Sequence, residues 1–175
     1  MAWPFRRIPS ARVAFEIVHR TRDGRFALAP KRQLVKEWIG ILVVACARWG
    51  DVQLHQICTL SNHVHMIVSV KGDRPVNQLA GWASFVFGNT ARVSHAVHGK
   101  RGIRGPVWDH RPFRLIPILN DANLRKRVKY LMAQATSAHL VLRPNKWPGL
   151  NSVDALCRGA LLKGFRANAA LRRRA

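Results

Sequence analysis

Apolar residues alternate along residues 11–19 (ARVAFEIVH). Val13, Phe15 and Ile17 fall on one side and Ala14, Glu16 and Val18 on the other, which is the period of a strand. Asp23-Gly24 marks a turn. From Pro30 to Trp49 the spacing changes to three-four through Leu34, Val35, Trp38, Ile41, Leu42 and Ala45, which predicts a helix stopped by Gly50. Asp51 to Val70 predicts two strands with a bulge or turn between them. A second helix opens at Asp73-Arg74-Pro75 and runs to about Ser94 through Leu79, Trp82, Phe85, Val86 and Thr90. Val107 to Ile118 looks extended, and Pro112 and Pro117 make it an edge or irregular strand. Asn120-Asp121 caps a third helix reaching about Leu142, with Pro144, Pro148 and Gly149 beyond it. Residues 152–175 are weakly helical and finish in basic residues. The order β-α-β-β-α-β-α predicts an α+β fold: an antiparallel sheet with helices packed on one side, related to the ferredoxin-like layout.

Charge changes the picture next. The 175 residues include 30 Lys and Arg against 8 Asp and Glu, a formal net charge of +22, while 48% of residues are hydrophobic. That apolar fraction supports a folded core. The positive field suits a polyanion, because each phosphate neutralised releases a counterion. Nucleic acid is the first candidate partner and an anionic membrane surface the second. Nothing amphipathic favours the membrane, and the longest apolar run, Ile39 to Ala47, falls short of the roughly 20 residues a span needs. Three widely spaced cysteines, Cys46, Cys58 and Cys157, suggest neither a disulfide framework nor a structural zinc site. MAWPFRR lacks the order of a signal peptide. The expectation is a cytoplasmic, nucleoid-associated protein with no membrane partner.

Two stretches carry candidate chemistry. In SNHVHMIVSV (61–70), His63 and His65 lie one strand repeat apart and project from the same face, with Ser61, Ile67 and Ser69; Val64, Met66, Val68 and Val70 take the other. Two such imidazoles can share a metal ion or serve only as structural residues. Zinc would want a third ligand; His55 and Cys58 are near, in no recognised zinc spacing. In RKRVKYLMAQATSAHLV, Leu124, Val128, Leu131, Ala135 and Ala138 form the core stripe of a helix. Tyr130, the chain's single tyrosine, and Gln134 stack four apart on its flank, with Arg125, Lys126, Arg127 and Lys129 just upstream. A tyrosine at a core rim with its hydroxyl in water has the same pattern.

Taken together, a strand with His-x-His followed by a helix bearing tyrosine and an amide residue four later resembles the HUH single-tyrosine transposases. It looks most like the REP-associated tyrosine transposases and their relatives in small insertion sequences. SNHVHMIV, GPVWDHRPF and VKYLMAQATSAHLV carry the resemblance, which spans roughly residues 11–143 as one catalytic domain. Residues 1–10 are then a basic N-terminal arm and 144–175 a basic C-terminal extension. The chain departs from the REP-associated pattern in having Gln134 for asparagine, Gln-Ala-Thr for the expected asparagine-proline, and Ser61 for proline before Asn62-His63. The resemblance implies that His63, His65 and Gln134 hold Mg2+ or Mn2+, and that Tyr130 attacks a phosphodiester of single-stranded, hairpin-guided DNA. It also implies a 5′-phosphotyrosine intermediate and either a monomer or a homodimer that exchanges the tyrosine helix.

For DNA contact, the loop 98–106 and WDHRPFR interleave Arg101, Arg104, Arg111 and Arg114 with Trp108 and Phe113, the mixture that suits single strands. Arg12 and Lys126 extend the basic set. Core packing is an equal reading of Trp108. Three alternatives stay open: a silent, domesticated hairpin-binding module of the same fold, a zinc hydrolase using the two histidines, and a broader HUH relative such as a replication initiator.

Overall fold

The computed structural model describes residues 12–72, 75–99 and 102–159, except the side chain of Arg12. The expected arm at 1–10, Arg101, the first two residues of the predicted second helix and the tail from 160 lie outside the described residues. The elements are β1 (Arg12–Arg20), α1 (Arg32–Arg48), β2 (Val52–Thr59), β3 (His63–Lys71), α2 (Pro75–His98), β4 (Arg114–Ile118), α3 (Asp121–Ser137) and α4 (Val153–Arg158). Short 3-10 turns occupy Arg22–Gly24 and Pro144–Lys146.

The four strands form one sheet in the order β2-β3-β1-β4, with every pairing antiparallel. This is the α+β, ferredoxin-like arrangement that the pattern predicts. One-residue alternation then sorts the side chains. Phe15, Ile17, Val64, Met66, Val68 and Val70 meet Leu34, Trp38 and Leu42 of α1 and Leu79, Trp82 and Val86 of α2 in the main core. The opposite face also has a cover: Ile67 packs with Leu124, Val128 and Leu131 of α3. The expectation of helices on one side is therefore corrected. The strand β3 is central and covered on both faces, which explains why seven consecutive residues, Val64 to Val70, are buried.

Three local features differ from the sequence pattern. The β2–β3 register slips between Leu54 and Gln56, so His55 sits in a bulge, where its Nε2 meets Ser69 Oγ at 2.7 Å. The helix α3 starts at its predicted cap, with Asn120 Oδ1 accepting from the Asn123 N–H at 2.9 Å, but stops at Ser137 rather than 142. His139 takes φ 55°, and the His139 and Leu140 N–H groups fold back to Thr136 and Ala135, a Schellman stop made without glycine. Finally, the extended segment shortens to β4, where Pro117 sits on an edge strand, preceded by one isolated bridge from Trp108 to Thr21.

Residues 147–153 return to the sheet. Leu150 O accepts from the Thr59 N–H, the Ser152 N–H bonds to Ile57 O, and Trp147 Nε1 donates to Thr59 O at 2.6 Å. Gly149 is required in this return, because a Cβ there would collide with the Trp147 indole and Thr59 O.

Candidate active site

Register places the polar face. In the β1–β3 pairing, Val18 lies opposite His65, Arg20 opposite His63, and Glu16 opposite Ile67. All of these side chains share the face covered by α3. The helix is held there by its apolar stripe and by Gln56 Nε2, which donates to Val128 O at 3.3 Å.

The two histidine rings are 5.1 Å apart between centroids, at an interplanar angle of 80°. Each uses Nδ1 for a protein oxygen: His63 meets Asn62 Oδ1 at 2.7 Å and His65 meets Glu16 Oε1 at 2.8 Å. That fixes both rings through Nδ1, an arrangement common to metal-binding histidines. Gln134 is buried and its side chain bonds to His63. Burial, reinforced by the neighbouring His65 and by Arg20 and only partly opposed by Gln134, lowers the His63 pKa to about 4. Its imidazole is consequently a neutral lone-pair donor at neutral pH.

Tyr130 completes the cluster. Its ring lies 5.7 Å from that of His65 in the same chain, edge-on at 81°, and it is 52% exposed. Phenol, imidazoles and amide therefore converge, with the phenol facing solvent. Glu16 ties the halves together. It is fully buried, holds His65 through one oxygen, and pairs through the other with Arg127 Nη1 of α3 at 3.0 Å. That second contact is Coulombic rather than a well-aligned hydrogen bond. A carboxylate removed from water in this way needs both partners.

A cleft of about 280 Å³ opens beside the cluster, lined among others by Arg20, His65, Arg111, Arg114, Arg127 and Tyr130. A second hollow on the other side of Tyr130 includes Asn123, Lys126 and Arg127. Of the sequence-nominated basic residues, Arg111, Arg114 and Lys126 thus flank the phenol. Arg104 is exposed on the neighbouring loop, where its carbonyl accepts from Arg25. The side chain of Arg12 and all of Arg101 lie outside the described residues.

Trp108 is half-buried and its ring packs inward. Its indole stacks on His19 at 4.7 Å, packs edge-on to Phe87 and Trp38, and donates to Phe87 O at 2.8 Å. Phe113 packs against His19 and Phe87 in the same layer. The candidate zinc partners are also placed elsewhere. His55 bonds Ser69, and burial in an apolar cluster pushes the Cys58 thiol up to about 12, which disfavours the thiolate that zinc needs. No group of three His, Cys, Asp or Glu side chains suited to a metal occurs among the described residues; the polar group beside His63 is the Gln134 amide.

Sequence reasoning missed Glu16 and Asn62. The signal for Glu16 was visible: a carboxylate in the middle of an apolar strand is seldom buried without a partner. Only the sheet register reveals that the partner is His65.

The fold and the cluster together define a class: a ferredoxin-like α+β sheet whose central strand offers His-x-His to a helix bearing tyrosine. No family model and no curated protein matches the sequence. Among solved structures, a REP-associated tyrosine transposase bound to a REP hairpin is similar with a TM-score of 0.63 at 17% identity, covering 96% of this chain and 94% of that one. The chain therefore has the fold of that REP-associated tyrosine transposase. A proposed transposase from Deinococcus radiodurans is similar with a TM-score of 0.49 at 12% identity, covering 74% of this chain and 96% of that one.

Proposed function

We propose that this protein is a transposase-like endonuclease and strand transferase that cleaves single-stranded, hairpin-guided DNA through a 5′-phosphotyrosine intermediate. The observation that carries the reading is the meeting of Tyr130 with His65 in one chain, at the edge of an arginine-lined cleft. The fold shared with a hairpin-bound transposase supports hairpin DNA as the partner.

The donor set fits a divalent metal: two imidazoles oriented through Nδ1 and the Gln134 amide beside them, a mixed nitrogen and oxygen set that suits Mn2+ better than Mg2+. Such an ion supplies Lewis-acid polarisation of a phosphate oxygen. The chain's own residues do the rest. Arg111, Arg114 and Arg20 draw the phosphodiester into the cleft. A phenol of ordinary pKa near 10 is a weak nucleophile at neutral pH. Arg127 and Lys126, three and four residues before Tyr130 on α3, line the hollow beside the phenol and offer positive charge to the phosphate it attacks. Tyr130 Oη forms a bond to phosphorus while the bond from phosphorus to the 3′ oxygen breaks. The phenolic proton leaves, and the departing oxygen gains one to become a 3′-hydroxyl. Reversal by another 3′-hydroxyl rejoins the strand with no external energy source. The 5.7 Å approach of the Tyr130 ring to His65 supports a tyrosine that acts in cis.

Labelled single-stranded hairpin DNA incubated with the protein and Mn2+ tests this. The expected result is a covalent adduct that Tyr130→Phe abolishes while hairpin binding persists. Binding without an adduct in the parent protein, across a range of hairpins, would instead establish a silent hairpin-binding module.

A further inference from the structure

The basic loop at 102–106 loses Trp108 and Phe113 to the core, yet the structure brings another ring beside it. Phe26 is 68% exposed, more than any other phenyl, phenol or indole ring among the described residues. It stands on a pinned loop. The Thr21 N–H and Oγ1 both bond to Asn62 O, and the Leu28 N–H bonds to Ser61 O, so both ends of the loop are fastened to the peptides immediately before His63. On the other side, the Arg22 N–H bonds to Val107 O, and the Arg25 guanidinium reaches the carbonyls of Arg104 and Pro106. Thr21, Ala27 and Leu28 are buried, so the loop is anchored in the core around an outward-facing ring.

Its surroundings are cationic. Arg22 and Arg25 share the one carboxylate of Asp23 at 3.6 Å each, and exposed Arg104 adds a further charge. An exposed aromatic ring costs hydration and is retained readily where a flat partner covers it. A rigid ring among arginines is the arrangement on which single-stranded bases stack while the backbone follows the charge.

We propose that Phe26 is a stacking platform for one unpaired nucleobase of the single-stranded DNA, held next to the strand end that carries His63. This rests on the proposed DNA substrate but not on cleavage. A base seated on Phe26 would fix the register of the strand relative to the histidine pair, since the loop is hydrogen-bonded to Ser61 and Asn62 just before His63.

The test uses Tyr130→Phe protein and DNA hairpins with single-stranded tails, carrying 2-aminopurine at successive tail positions. One tail position is expected to lose fluorescence on binding, and adding Phe26→Ala should remove that quenching. Binding of the tailed hairpin should weaken between about fivefold and about 150-fold, with blunt hairpins unaffected. Phe26→Trp should restore both signals and Phe26→Leu neither. The salt dependence of binding should keep its slope, since a ring releases no counterions. Unchanged quenching in Phe26→Ala, or equal losses on tailed and blunt hairpins, would overturn the proposal. Failure of the parent protein to form an adduct would overturn cleavage alone and leave this result standing.

Discussion

The two faces of β3 are built from the same strand and do opposite work. Toward α1 and α2 it presents Val64, Met66, Val68 and Val70 to an apolar core. Toward α3 it presents His63 and His65, beside buried Glu16, Gln56 and Gln134. The first face stabilises through area removed from water, about 25 cal/mol for each Å². The second face puts charge and hydrogen-bonding groups out of water, where each needs a partner to avoid a penalty. Two small clusters hold α3 by apolar contact: Ile67 with Leu124, Val128 and Leu131, and Ala135 with Cys58, Leu60 and Trp147. The comparison teaches that the fold is carried chiefly by one face and the candidate site by the other, so damage to each should have a different signature.

The largest effect is expected on the apolar face. Trp82 is fully buried there; Trp82→Ala should cost about 3–5 kcal/mol, and denaturant titration should show most of the protein's stability gone. DNA binding and adduct formation should fail together. On the polar face, Glu16→Gln should leave the fold cooperative but release the orientation of His65 and the charge pairing of Arg127. Metal affinity should drop about 10–100-fold, read as the Mn2+ concentration needed for half-maximal adduct.

Acid provides a milder contrast. With its pKa lowered to about 4 from an ordinary 6.5, His63 stays neutral in the folded chain over a range where the unfolded chain takes up a proton. Stability should therefore fall as pH drops from about 6.5 toward 4 and flatten below that. Thermal melts of His63→Asn should show a shallower loss across the same window. The smallest effect belongs to the cap. Asn120→Ala should remove about 1 kcal/mol, lowering the melting temperature slightly while the adduct yield at low temperature stays unchanged.

The sequence made β1, α1, α2 and the β2–β3 pair legible because each repeats a single period long enough to count. The end of α3 was not legible, since its stop uses His139 at positive φ where glycine would have announced it. Which side α3 covers was hidden as well. A period reveals that a face is apolar, and Ile67 alone on the His63 side gave little hint that a helix lies over it. For the site, the resemblance carried by the His-x-His and Tyr130/Gln134 spacings nominated His63, His65, Tyr130 and Gln134, and the fold brings these four together. The spacing could not supply Glu16, whose partner is 49 residues away, or distinguish Trp108 from Phe26. An aromatic residue among arginines reads the same whether its ring turns inward to His19 or outward to solvent.

The central claim is that the phenol and the imidazoles of one chain act on the same phosphodiester. Mixing Tyr130→Phe protein with His65→Ala protein tests it directly, with hairpin DNA, Mn2+ and the parent protein as the positive control. The account predicts an adduct from the parent and none from either variant or from the mixture. Restored adduct in the mixture would mean that tyrosine and histidines come from different chains, and would contradict it.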